Sequence, residues 1–358
     1  MRAMAREGRL RSLMRRQGCG YVLISDPVSV AYYSGFRASR VYLLLSRRKK
    51  LLFTDGRYRE AAKKFCARRP DVRFVEIGQK APETVVSFIP AGSRVGVESN
   101  TLSVDRFADL RRAGGSLHWR RLGSSVVDIA SVKNSEEIGA IRRAARIGDR
   151  AFKRFCSRLR PGITEVEAAA ELERLCREYG AEAASFPTIV LFGPRSALPH
   201  GFPGRRRLRK GDFVLTDFGC VVSGLCSDMT RTKVFGKAGE KQRGIYDTVL
   251  RAQRTARRAV GPGVKASEVD RSARTVIDEA GYGEFFIHAT GHGVGRRVHE
   301  RPRLSDNDST VLEAGMVVTI EPGIYVPGVG GTRIEDMVLV ADTGSQLLTH
   351  SPRRGIEI

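Results

Sequence analysis

The segment DFVLTDFGCVVSGLCSDMTRTKVF, residues 212–235, carries two aspartates inside a run of β-forming residues. Ser223-Gly224 at its centre is a two-residue turn signal, so the segment reads as a hairpin. Such a turn pairs positions whose numbers add to 447, which sets Asp228 opposite Gly219. Asp217 lies two residues from Gly219 and therefore on the same face. The aspartates become diagonal neighbours, with Cβ atoms about 7 Å apart. Carboxylates among apolar strand residues cost free energy unless positive charge sits between them. The hairpin places no lysine or arginine on that face. A divalent cation would fill the role; solvent-facing acids are the ordinary alternative.

A second pair of acids lies further on. MVVTIEPGIY, residues 316–325, puts Glu321 at the end of an apolar strand, and GGTRIEDMVLV, residues 330–340, puts Arg333 and Glu335 on one face of another. Between the pairs comes HATGHGVGRRVHE, residues 288–300, with His288, His292 and His299. Four carboxylates and one imidazole would hold two divalent ions of the Mn²⁺, Co²⁺ or Zn²⁺ kind, rather than thiolate-seeking metals. Ions about 3.5–4 Å apart activate a bridging water and polarise a carbonyl. The string Gly291, Gly293, Gly295 suggests a phosphate loop, but no strand–glycine loop–helix unit follows it.

Outward from these motifs, the 358 residues are long for one core, which favours two domains. Residues 1–130 alternate between helix and strand patterns. A first helix presents Leu10, Leu13 and Met14; GYVLIS, RVYLLLS, LLFTDG, VRFVEI and SRVGVE read as strands; RYREAAKKF and SVDRFADLRRAG read as helices. A boundary falls near DIASVKNSEE. Beyond it, Asn134 with Glu137, and Thr164 with Glu167, are capping boxes. RPGITEVEAAAEL and GPGVKASEVDRSA match loosely with a two-residue offset, a faint internal duplication.

Net charge is +23, with +15 in residues 1–130. The basic residues are not interleaved with stacking aromatics, and arginine supplies 50 of 62 cations, so nucleic-acid binding is not expected. No apolar run approaches the ~20 residues of a membrane helix. The basic N-terminus lacks the apolar core of a signal peptide. Six cysteines without a C-x-x-C pair read as free thiols of a reducing, cytoplasmic setting.

Asp217, Asp228, His292 in TGHGVG, Glu321 in TIEPGIY and Glu335 in TRIEDMV together resemble the ligand set of the pita-bread metallopeptidases, in particular the Xaa-Pro aminopeptidases and Xaa-Pro dipeptidases (prolidases). LISDPVSVAYYSGF is similar to that branch's N-terminal segment, with Ser29 where asparagine is more usual. The resemblance implies an α+β chain: a smaller α/β creatinase-type N-terminal domain, residues 1–130, with a dimer and substrate-pocket role, then a catalytic pita-bread domain, residues 131–358. It implies two divalent ions per subunit, Mn²⁺ foremost, with Co²⁺ or Zn²⁺ as alternatives. Asp217, Asp228 and Glu335 would bind one ion, and Asp228, His292, Glu321 and Glu335 the other. Glu321 would also be the general base. His299 would bond the scissile carbonyl, His200 would contact substrate, and His288 and Arg333 would complete the pocket. His118 and His350 match nothing in the pattern.

The implied reaction removes an N-terminal residue from a peptide with proline second, in a homodimer free of membrane; cleavage of Xaa-Pro dipeptides at the same site is the alternative. A methionine aminopeptidase shares GHGVGRRVHE, but EPGIY, TRIED and the separate first domain argue against it. A non-catalytic binding module would have replaced ligands, and none is replaced here.

Overall fold

The computed structural model describes every residue except Met1 and Arg48, with the side chains of residues 2–5 also left aside. The chain divides into two compact units, Met1–Ala130 and Ser131–Ile358.

The first unit is built on a six-stranded mixed sheet. Its order is Val72–Glu76, Lys50–Thr54, Val41–Ser46, Tyr21–Ile24, Arg94–Val97, His118–Arg121. VYLLLS looks continuously apolar because both faces of this sheet are covered. Leu43, Leu45 and Leu52 pack to one side with Leu10, Leu13 and Met14 of the first helix. Tyr42, Leu44, Leu51 and Phe53 pack to the other with Val85, Ile89 and Leu110. Asp26 starts the helix Pro27–Ser34 by accepting from the Ser29 amide, and Gly35, at φ 87°, ends it. The Ser29 hydroxyl donates to the buried Glu98 carboxylate at 2.5 Å.

The second unit opens with the helix Ser135–Cys156. Both capping boxes form, at Asn134 and at Thr164. The internal duplication is in closer register than its sequence suggests. The helix Glu165–Glu178 corresponds to Ala266–Glu279 with no offset: Gly162 matches Gly263, Thr164 matches Lys265, and Glu167 matches Glu268. The two-residue offset is therefore corrected. It arose because lysine cannot cap through its side chain; only the Glu268 carboxylate reaches back, to the Lys265 amide at 3.3 Å. Gly162 and Gly263 adopt φ 83° and 89°, the left-handed turn that the shared Pro-Gly step needs.

Each helix pair backs its own strands. Phe152, Phe155 and Leu172 pack on Val190, Phe192, Val214 and Phe218 of the sheet Met229–Val234, Phe213–Phe218, Ile189–Phe192. Ile245, Val249, Val269 and Ile277 pack on Val318, Ile320, Val338 and Val340 of a five-stranded sheet. Among the described residues, no helix is long and apolar enough to cross a membrane.

Arg231 joins the halves. Its side chain is wholly buried and donates to Asp336 at 2.7 Å, to the Ser351 carbonyl at 2.8 Å and to the Glu335 carbonyl. Removing one partner of a buried ion pair strands the other. Arg231→Met should therefore lower unfolding free energy by about 3–5 kcal/mol, seen as an earlier urea midpoint. A midpoint within error of the parent would show that Arg353 and Gln253, which also contact Asp336, suffice.

Candidate metal centre

The hairpin folds in the register read from its turn. Ser223 and Gly224 have φ 53° and 69°, as a two-residue primed turn requires, and Asp217 pairs with Thr230. At Gly219 the strands come so close that a Cβ would run into the Ser227 carbonyl. Gly291 and Gly293 play the same part around His292, where a Cβ would meet the carbonyls of Thr319 and Arg301. These glycines give room to neighbouring strands.

The two halves bring the acids together. Asp228, His292 and Glu335 each offer a ligand atom within 4.8 Å of the others. Nε2 of His292 is 3.6 Å from Asp228 Oδ2 and 3.1 Å from Glu321 Oε1. Nδ1 of His292 lies 3.0 Å from the Gly293 carbonyl, so it must be the N–H that donates. That fixes Nε2 as the nitrogen whose lone pair points into the acids, as a ligating imidazole needs. A lone pair and several carboxylates facing one another require a cation or a proton between them.

Second-rank contacts aim each carboxylate. The Thr319 hydroxyl donates to Glu321 Oε1 at 3.0 Å and accepts from the His292 amide at 3.0 Å. The Thr230 hydroxyl donates to Glu335 Oε2 at 2.7 Å and accepts from Arg333 Nε at 3.0 Å. Arg333 Nη2 donates to Asp217 Oδ2 at 2.5 Å, so the carboxylate it steadies is Asp217. Sequence reading did not single out Thr230, Thr319 or Tyr325. Thr319 stands two residues before Glu321, and Thr230 directly across from Asp217. Those same-face positions were available in the strand alternation.

Electrostatics report an incomplete charge balance. Burial, then the neighbouring carboxylates, pushes Asp228 and Glu335 well above the ordinary carboxylate range. Asp217 is also raised by burial, against the pull of Arg333. Burial is the largest single influence on Glu321 and would raise it, but the His292 hydrogen bond and the charges of His292, His288 and Arg333 together outweigh burial and hold Glu321 at about 2. For His292, burial favours the neutral ring, yet Glu321 carries it above its usual value. A shared proton there stands where a cation would. Asp217 Oδ1 and Glu335 Oε1 are buried without a hydrogen-bond partner. Each such oxygen costs about 1–3 kcal/mol unless something positive meets it. Buried, unpartnered oxygens with an oriented imidazole fit divalent cations, and the absence of thiolate fits harder metals.

The remaining histidines surround this set. His299 is exposed, with its ring 4.3 Å edge-on from that of His292. Partial burial of the ring, then His292, lowers its pKa, which favours the neutral form. His288 has both nitrogens occupied: Nδ1 donates to the Ala289 carbonyl at 2.8 Å, and Nε2 accepts from the Tyr325 hydroxyl at 2.9 Å. Tyr325 in turn accepts from Arg333 at 2.7 Å. His200 is exposed, and the Pro199 carbonyl before it accepts from Arg333 at 3.4 Å.

This constellation matches known proteins along nearly the whole chain. Residues 139–342 match the model of metallopeptidase family M24, and residues 6–129 match the creatinase/prolidase N-terminal domain. The chain belongs to metallopeptidase family M24. A Xaa-Pro dipeptidase of Pyrococcus furiosus is 39% identical over 333 residues, 93% of this chain and 94% of that protein. The structure of a Xaa-Pro dipeptidase from Bacillus anthracis superposes with TM-score 0.94 at 36% identity, covering 99% of this chain and 100% of that one. An X-Pro aminopeptidase structure from Thermotoga maritima MSB8 gives TM-score 0.89 at 34% identity, over 98% and 99% of the two chains. The M24 chain thus has the creatinase-type first domain and pita-bread second domain, and it is a metallopeptidase.

Proposed function

We propose that this M24 peptidase hydrolyses the bond between an N-terminal residue and a following proline, with Xaa-Pro dipeptides as its preferred substrates. The observation that carries the reading is the convergence of Asp217, Asp228, His292, Glu321 and Glu335, two of them with orphaned buried oxygens. Longer Xaa-Pro peptides were the first expectation. Similar proteins include Xaa-Pro dipeptidases from Pyrococcus furiosus and Bacillus anthracis, which weighs toward the dipeptidase form. The X-Pro aminopeptidase of Thermotoga maritima keeps the longer substrates as a second reading.

Asp217, Asp228 and Glu335 would hold one cation, and Asp228, His292, Glu321 and Glu335 the other, with Mn²⁺ assigned ahead of Co²⁺ or Zn²⁺. Bound there, such ions supply a nucleophilic water at neutral pH and polarise the substrate carbonyl. Glu321 would accept a proton from the attacking water, its carboxylate aimed by the Thr319 hydroxyl. Neutral His299 donates to the carbonyl oxygen as negative charge develops. Arg333 holds Asp217 and Tyr325, Tyr325 holds His288, and this chain forms a fixed pocket wall. His200 contacts substrate from the exposed rim. We assign the N-terminal domain to dimer formation and to limiting substrate length, and the cysteines, all free, suit a cytoplasmic enzyme.

His299→Ala should lower kcat by about 10²–10³ with KM and bound metal nearly unchanged, as for loss of one oxyanion donor. Steady-state kinetics with metal analysis checks this; an unaltered kcat removes His299 from the mechanism. The substrate assignment is tested by kcat/KM for Ala-Pro, Ala-Pro-Ala and Ala-Leu. Ala-Pro should lead and Ala-Leu should be barely cleaved. Equal rates for Ala-Pro and Ala-Leu would overturn the proline requirement.

A further inference from the structure

The second unit carries a basic surface that the peptidase site does not use. Two adjoining clefts, of about 520 and 440 Å³, open along the C-terminal half of the helix Glu240–Ala259. Arg251, Arg254 and Arg258 line the first, on one helical stripe at i, i+3 and i+7. Arg254 and Arg258 continue into the second, where Arg257, Arg353 and Arg354 join them.

Little compensates this charge. Arg353 pairs with Asp336. Among the described residues the other five arginines have no ion pair, and the one acid in the lining, Glu279, pairs with none of them. Arg257 Nε is buried without a hydrogen-bond partner. Arg254 is held below the ordinary arginine value, by partial burial first and then by Arg354, Arg353, Arg258 and Arg257. Basic residues in a last helical turn commonly face the free carbonyls there. That accounts for Arg257 and Arg258. It does not account for Arg251 and Arg254, further back, or for two arginines arriving from the C-terminal segment.

We propose that these clefts bind a short oligophosphate. Guanidinium forks match phosphate oxygens two at a time, and like-charged arginines held together gain most from a polyanion. Two clefts sharing Arg254 and Arg258 suit a ligand that carries several phosphates in line. No aromatic side chain lines either cleft, so nothing there would stack a base. Recognition is of the phosphates themselves.

The test is calorimetric titration of the metal-loaded, full-length protein with inorganic tripolyphosphate. Three proteins are compared: the parent, Arg254→Gln/Arg354→Gln, and a control, Arg111→Gln/Arg112→Gln, with the same charge change on the first unit. The parent and control should bind one equivalent, more tightly than orthophosphate, and more weakly as salt rises. The first variant should lose at least about tenfold in affinity while keeping parental peptidase activity. Metal withdrawal by the probe would give the same signal in all three proteins. No binding, equal binding by all three, or equal weakening in both variants overturns the proposal. So does a 20-nucleotide single strand that binds through Arg254 and Arg354 in preference to tripolyphosphate.

Discussion

Asp228→Ala should leave a folded protein without measurable Xaa-Pro hydrolysis and without tightly bound metal. Asp228 is almost fully buried, at 4% exposure, next to Ser227, whose carbonyl closely approaches Gly219 across the hairpin. Its carboxylate faces His292 Nε2 at 3.6 Å and is raised by burial and by Glu335, Asp217 and Glu321. It therefore stands in the middle of the acids. On the proposed ligand set its loss would remove a donor from both cations, so both should leave. Stability of the metal-free variant should match or exceed that of the metal-free parent, because one buried acid fewer is left uncompensated. Metal analysis, kinetics and thermal unfolding give the three readouts. Two ions retained per chain would show that Asp228 does not bridge.

Glu321→Gln should lower kcat by about 10³, with a KM change of only a few-fold, as expected for loss of a positioned general base. The amide oxygen can still accept from the Thr319 hydroxyl, so the local structure should persist. The split between kcat and KM separates proton transfer from binding. A variant that keeps one-tenth or more of parental kcat, with metal retained, would place the base elsewhere.

Much of this site was legible because strands impose rules on sequence. A two-residue turn and period-two alternation fixed the pairing of Asp217 with Thr230 before any coordinates. Misplaced acids in apolar strands then pointed to metal. The capping boxes at Asn134 and Thr164 were equally local, and both formed. Long-range partners were not legible. Nothing in spacing announces that Arg333 donates to Asp217, 116 residues away, or that Arg231 ties Asp336 to Ser351. The particular carbonyls that Gly291 and Gly293 admit, those of Thr319 and Arg301, were not legible, because they lie on the strands paired with this one. His288 reads as a substrate-facing group in sequence; in the fold its two nitrogens are engaged by Ala289 and Tyr325, which ties its proposed part to the pocket wall. Net charge indicated no site by itself. Only its gathering beside one helix gave it chemical meaning.

The most direct test of the metal centre is a titration of the chelator-treated protein with Mn²⁺, following Ala-Pro hydrolysis while circular dichroism confirms the fold. Activity should be absent without metal and should rise to a plateau at two equivalents per chain. Full activity in the metal-free protein, or no hydrolysis with Mn²⁺, Co²⁺ or Zn²⁺, would contradict the assignment of Asp217, Asp228, His292, Glu321 and Glu335 as a dinuclear peptidase centre.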